Sequence, residues 1–169
     1  MEMKILGVDE IVIDEMRVIY VRYTGSYEGF AATYPTMIGK LYNFALSNNL
    51  IIPGKTKILT CYHDNPEITE NKNLRTSVCL SVPNNAVFEE IDEIGSMGIL
   101  GKYAVGHFES FLNEEGAACA HTYREWVPTS KYQLRDTFPF IEYVSDPNIN
   151  PGGKQLFDIY IPIEPLGSV

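Results

Sequence analysis

Apolar and polar positions alternate over several short runs of the chain, and twice a helical period breaks in. Ile11 to Ile13 and Met16 to Tyr23 read as strands, with Val18, Tyr20 and Arg22 set against Ile19, Val21 and Tyr23. The period then changes. Tyr34, Ile38, Leu41, Tyr42 and Ala45 fall on one face of a helix expected from about Thr33 to Ser47. Thr33 is its expected N-cap, Pro35 lies in its first turn, and Asn48-Asn49 is its stop. Pro53-Gly54 marks a turn, and strands follow over Thr56 to Tyr62 and Leu74 to Val82. The order then recurs. Val87 to Ile94 is read as a strand, Gly95 to Gly98 as a turn and Ile99 to Phe108 as a strand. Asn113 caps a helix over about Glu114 to Trp126, with Cys119, Tyr123, Trp126 and Val127 sharing a face and Pro128 ending it. A strand over Phe138 to Val144, closed by Asp146-Pro147, and a last one over Leu156 to Ile163 complete the chain.

The recurrence is an internal repeat. Leu59 to Asp64 aligns with Phe140 to Ser145 at an offset of 81, and Val78 to Pro83 aligns with Ile159 to Glu164 at the same offset. Arg17 to Tyr23 aligns with Lys102 to Phe108 at an offset of 85. Two such βαββ-type repeats, about 1–85 and 86–169, make an α+β domain of antiparallel strands and two main helices, with pseudo-twofold symmetry. A concavity between equivalent elements is the natural place for a ligand.

One residue breaks the symmetry by a charge. Strand alternation puts Glu142 on the face of Phe138, Phe140 and Val144, where its repeat counterpart is Cys61. A carboxylate among aromatics needs a partner or solvent. Two readings stand: an edge strand with a solvated Glu142, or a Glu142 that faces a cavity made for a ligand.

Composition narrows the function classes. The chain of 169 residues has a formal net charge of −9, which disfavours a nucleic-acid surface and predicts no direct DNA binding. The densest acidic run is Glu89, Glu90, Asp92 and Glu93, whose ordinary meaning is a solvated face. No apolar run approaches membrane-spanning length, and Met1-Glu2-Met3-Lys4 does not open a signal peptide. Cys61, Cys79 and Cys119 are odd in number and lack C-x-x-C spacing, which fits reduced thiols in a cytoplasm. His63, His107 and His121 are scattered, so neither a metal site nor a cofactor is expected. No nucleophile-elbow or phosphate-loop motif occurs.

Val18-Ile19-Tyr20-Val21-Arg22-Tyr23-Thr24-Gly25-Ser26-Tyr27-Glu28, Leu41-Tyr42 and Leu74 to Pro83 carry a resemblance in the first half. Gly101 to Val105, Tyr123 to Pro128 with Tyr132, Phe140 to Tyr143 and Asp158 to Ile163 carry it in the second. In their order and spacing these resemble the GyrI-like small-molecule-binding family, which includes the effector-binding domains of Rob- and BmrR-type regulators and the stand-alone SbmC-like proteins. The resemblance implies an aromatic-lined pocket in which Glu142 engages lipophilic cations. Tyr27, Tyr123, Trp126, Phe140 and Tyr160 are its expected lining, with core packing the competing role for each. It also leaves two alternatives open. Certain GyrI-like proteins hydrolyse electrophilic toxins, and Glu142 would then be a general base. SbmC-like proteins are associated with inhibition of DNA gyrase, which would make this an interaction module with gyrase or a regulator protein as partner. Regulators of the family carry a separate helix-turn-helix domain, for which this chain has no residues to spare.

Overall fold

The computed structural model describes residues 4–110, 125–145 and 153–167. They form seven strands and two α-helical segments, and every pairing between strands given below is antiparallel. The chain divides into two compact units, Asp14–Leu100 and Met1–Ile13 with Gly101–Val169.

In the unit Asp14–Leu100, β1 (Lys4–Thr24) supplies its second half and α1 (Tyr27–Ser47) follows at once. The two strands expected over Ile11 to Tyr23 are one continuous strand, which runs on through Asp14 and Glu15 with both side chains exposed. The helix starts earlier than its period suggested. Ser26, not Thr33, is the N-cap, its Oγ accepting from the Gly29 N–H at 3.1 Å. Thr33 lies inside the helix and donates its hydroxyl to the Gly29 carbonyl at 2.8 Å. Pro35 is therefore internal rather than in the first turn. Its cost, about 3 kcal/mol, is outweighed by the face that α1 buries through Phe30, Met37, Leu41 and Ala45. Each such large side chain contributes about 1.5–3 kcal/mol. Asn48 ends the helix as expected, and Asn49 turns away in the left-handed region at φ 57°.

β2 (Ile58–Tyr62) and β3 (Arg75–Val82) complete this unit, with β3 between β1 and β2. The register aligns Val18 with Ser81 and Leu59 with Cys79. Ile19, Val21, Val78, Leu80 and Val82 form the core with α1. The opposite face carries Tyr20, Arg22, Cys61, His63, Ser77 and Cys79.

Val87 to Ile94 is not a strand: Val87 is 94% exposed, and only an isolated bridge joins Ile91 to Ile94. Consecutive acidic residues there favour water over a sheet. The Gly95 to Gly98 turn is also absent, since β4 (Gly95–Ser110) runs straight through it. Gly95 serves close approach instead, because a Cβ there would stand 2.7 Å from the Tyr20 ring.

The second unit repeats the plan. β4 pairs with β7 (Gln155–Pro165), and β7 pairs with β6 (Phe140–Tyr143) and with the short β5 (Tyr132–Leu134). Tyr103 aligns with Pro162 and Phe140 with Tyr160. These are the pairs Val18 with Ser81 and Leu59 with Cys79, advanced by the sequence offsets of the repeat. Of the second expected helix, the described part is the end: Glu125 and Trp126 lead into α2 (Val127–Thr129). Pro128 lies within α2 rather than stopping it. Asn113, Glu114, Glu115, Cys119 and Tyr123 lie outside the described residues.

Candidate functional site

β6 and β7 set the chemistry of the second unit. Phe140 and Glu142 project to one face of β6, and Asp158 and Tyr160 to the same face of β7, because Phe140 faces Tyr160 and Glu142 faces Asp158. The Phe140 and Tyr160 rings stack at 4.4 Å with an interplanar angle of 14°. Tyr103, from β4, meets both edge-on, at 5.3 Å and 6.1 Å between centroids. The Arg135 guanidinium lies 5.0 Å over the Tyr103 ring.

At the end of this stack Tyr160 Oη donates to Glu142 Oε1 at 2.8 Å. Phe140 and Tyr160 are buried and Glu142 is half-buried. Burial, and then the charge of Glu142, push the Tyr160 phenol well above its ordinary value of 10.0. Tyr160 is therefore a fixed hydrogen-bond donor to Glu142.

Further along the same face, Asp158 holds His107 by its Nδ1–H at 2.7 Å, and His107 Nε2 meets Asp9 at 2.8 Å. Burial works against a charged imidazole here, but the carboxylates of Asp158 and Asp9 outweigh it and raise the His107 pKa above 6.5. Leu6, His107, Val144, Leu156 and Asp158 line a shallow depression of about 330 Å³. Sequence reasoning missed His107 and Asp158. The repeat could have found them, since they stand where Arg22 and Ser77 stand in the first unit.

In the first unit the equivalent face has different chemistry. Arg22 Nε donates to Ser77 Oγ at 3.2 Å, and His63 Nε2 meets the same oxygen at 2.7 Å. Burial, then the charges of Arg22 and Arg75, lower the His63 pKa to about 4. In place of Glu142 and Tyr160 stand Cys61 and Cys79, their sulfurs 3.6 Å apart.

Tyr27 belongs to the unit Asp14–Leu100 and packs edge-on against Tyr62 at 5.7 Å. Trp126 is half-buried, and its carbonyl accepts from the Thr129 hydroxyl at 2.9 Å at the start of α2. Tyr123 lies outside the described residues. Glu89, Glu90, Asp92 and Glu93 are all exposed, with Glu93 paired to Lys40 at 3.0 Å. Among the described residues no group of three His, Cys, Asp or Glu side chains is placed to hold a metal ion, and no helix is long and apolar enough to cross a membrane.

The sequence profile of the GyrI-like small molecule binding domain matches residues 7–164. The chain belongs to this family. No curated protein matches it. The solved structure of the EcmrR C-terminal domain is similar at 18% identity and a TM-score of 0.73, covering 95% of this chain and 98% of that one. The whole EcmrR chain, seen in a complex with DNA, matches with a TM-score of 0.72 and 18% identity over 95% of this GyrI-like chain, which spans 58% of its length. A hydrolase from Listeria innocua matches at 14% identity and a TM-score of 0.64, over 93% and 91% of the two chains. SAV2435, solved bound to tetraphenylphosphonium, matches at 13% identity and a TM-score of 0.56, over 94% of each chain. At these identities the likenesses establish a shared α+β fold.

Proposed function

We propose that this GyrI-like domain captures aromatic or lipophilic cations on the β6–β7 face, with Glu142 as the polar anchor. The observation that carries this reading is the hydrogen bond of 2.8 Å from Tyr160 to Glu142 at the end of the Phe140–Tyr160 stack. It ties one carboxylate to the end of an aromatic stack. Aromatic faces attract a cation by about 0.5–2 kcal/mol each, and a half-buried carboxylate adds a charge that water screens poorly. The similar SAV2435 was solved with tetraphenylphosphonium, a cation of this class. The free, buried thiols of Cys61 and Cys79 suit the reducing cytoplasm proposed for the protein.

The test is calorimetric titration of tetraphenylphosphonium into the wild-type chain and into Phe140→Ala. Saturable binding that weakens at least tenfold in the variant supports the site. Equal affinity for both proteins removes it.

A second reading has its own support. The same Glu142–Tyr160 pair supplies a general base beside a hydroxyl donor, and a similar structure is that of a hydrolase from Listeria innocua. On this reading Glu142 takes a proton from water attacking an electrophilic ligand, with Tyr160 assisting. Loss of turnover in Glu142→Gln, with neutral analogues still bound, distinguishes it from capture alone.

A further inference from the structure

The Cys61–Cys79 pair is the part of the repeat that the proposed cation site leaves unused. It stands where the other unit has Glu142 and Tyr160, on the equivalent face of equivalent strands. Both side chains are fully buried, and their sulfurs are 3.6 Å apart. No other titratable pair within the first unit is placed so closely with so little solvent around it.

The register decides what such a pair can do. Cys61 faces Ser77 and Cys79 faces Leu59, so the two cysteines are diagonal neighbours on β2 and β3. Diagonal neighbours on antiparallel strands are about 7–8 Å apart. A disulfide needs Cα atoms within about 6.8 Å. At that typical spacing direct oxidation would have to draw the two strands together. A third atom between the sulfurs needs no such movement. Two bonds of about 2.3 Å, the length of a metal–thiolate bond, at the angle of about 100° of a pyramidal centre span about 3.5 Å, close to the separation observed. The bridging centre must be thiophilic, and it must be content with two protein ligands, since no third one is placed among the described residues. It should also leave no net charge in this buried place. Burial, the Cys61 hydrogen bond and the Cys61 charge all push the Cys79 thiol well above its ordinary value, so a dithiolate is unfavourable.

A trivalent organoarsenical meets each requirement. We propose that Cys61 and Cys79 form a dithiol site that captures compounds of the type R–As=O. The balance is R–As=O + 2 Cys–SH → R–As(S–Cys)₂ + H₂O. Two As–S bonds form, the As–O bonds break, and both thiol protons leave in the water. Arsenic stays trivalent, no oxidant or reductant is required, and the product is neutral with R as the third substituent. Because both thiols are closed over, capture waits on opening of the face and is slow.

The probe is phenylarsine oxide with the 169-residue chain under native conditions, followed by intact-mass spectrometry. Wild type and Cys119→Ser should each take up one phenylarsenic per chain. Cys61→Ser and Cys79→Ser should bind it at least tenfold more weakly. A measurement on wild type alone guards against variants that do not fold: digestion of the adduct without added thiol should yield the Cys61 and Cys79 peptides joined through one arsenic. Arsenic joined to Cys119, an undiminished adduct in either serine variant that retains its helical circular dichroism, or no adduct on native wild type while the urea-unfolded chain binds would each overturn the proposal.

Discussion

The two units share a plan and differ in chemistry. Val18 with Ser81 and Leu59 with Cys79 in one become Tyr103 with Pro162 and Phe140 with Tyr160 in the other. Two cross-strand contacts are kept in place while their chemistry changes. Arg22 with Ser77 becomes His107 with Asp158, and the Cys61–Cys79 contact becomes the Glu142–Tyr160 hydrogen bond. On one face the sheet carries a guanidinium, a neutral imidazole and two thiols. On its counterpart it carries three carboxylates, a phenol and an imidazole held between two of them. The lesson is that the repeat conserves positions, and the identity of a few side chains at those positions separates a carboxylate-bearing face from one that carries a guanidinium and thiols.

Truncation at equivalent positions should affect the units unequally. Phe140→Ala removes a ring that stacks on Tyr160 and meets Tyr103, and should cost about 3–5 kcal/mol. Leu59→Ala, its counterpart, should cost about 2–5 kcal/mol, and should leave cation binding unchanged. Urea denaturation of both variants, paired with ligand titration, checks this. Loss of binding in Leu59→Ala would break the asymmetry.

A smaller effect probes the helix that backs the first unit's core. Ser26→Ala removes the N-cap and should cost about 1 kcal/mol, without altering the second unit's site. A Thr33→Ala effect larger than that of Ser26→Ala, measured by the same denaturation, would contradict the observed helix start.

The histidines give the smallest effects, and these are opposite in sign. His63 has a folded pKa of about 4, below its ordinary 6.5. The unfolded chain therefore binds its proton first, and His63 contributes stability above pH 6.5 that is lost as pH falls toward 4. His107 has a raised folded pKa, so its contribution is full below the ordinary value of 6.5 and is lost as pH rises through the folded value. Melting temperature followed against pH should show a shallower acid limb in His63→Gln and a shallower neutral-to-alkaline limb in His107→Gln. Limbs that respond the other way round would contradict both assignments.

Much of this arrangement was legible in the sequence. The offsets of 81 and 85 carry the register of one unit onto the other, because alternate residues of a strand share a face. The alternation on β6 also put Phe140 and Glu142 on one face. What escaped was decided by single residues or by distant partners. Ser26 outcompetes Thr33 as a cap through one backbone hydrogen bond, which periodicity does not register. Gly95 reads as a turn residue but is required by the Tyr20 ring across the sheet. Val87 to Ile94 has strand-forming residues and, among the described residues, no partner strand to pair with. Asp9 and His107 are 98 positions apart, and nothing local in either announces the other. Cys79 did align with Tyr160 at the offset of 81, so the dithiol was within reach of the repeat once both sides of each contact were advanced together.

The central claim is that charge at position 142 is what makes the β6–β7 face a cation site. It is tested most directly by titrating tetraphenylphosphonium and the neutral triphenylphosphine oxide into wild type and Glu142→Gln, whose shapes are nearly the same. The account predicts a loss of about 2–5 kcal/mol for the cation, the scale for removing one member of a desolvated charge pair, and no change for the neutral compound. Equal affinities of the two proteins for the cation would contradict it and leave Glu142 an ordinary strand carboxylate held by Tyr160.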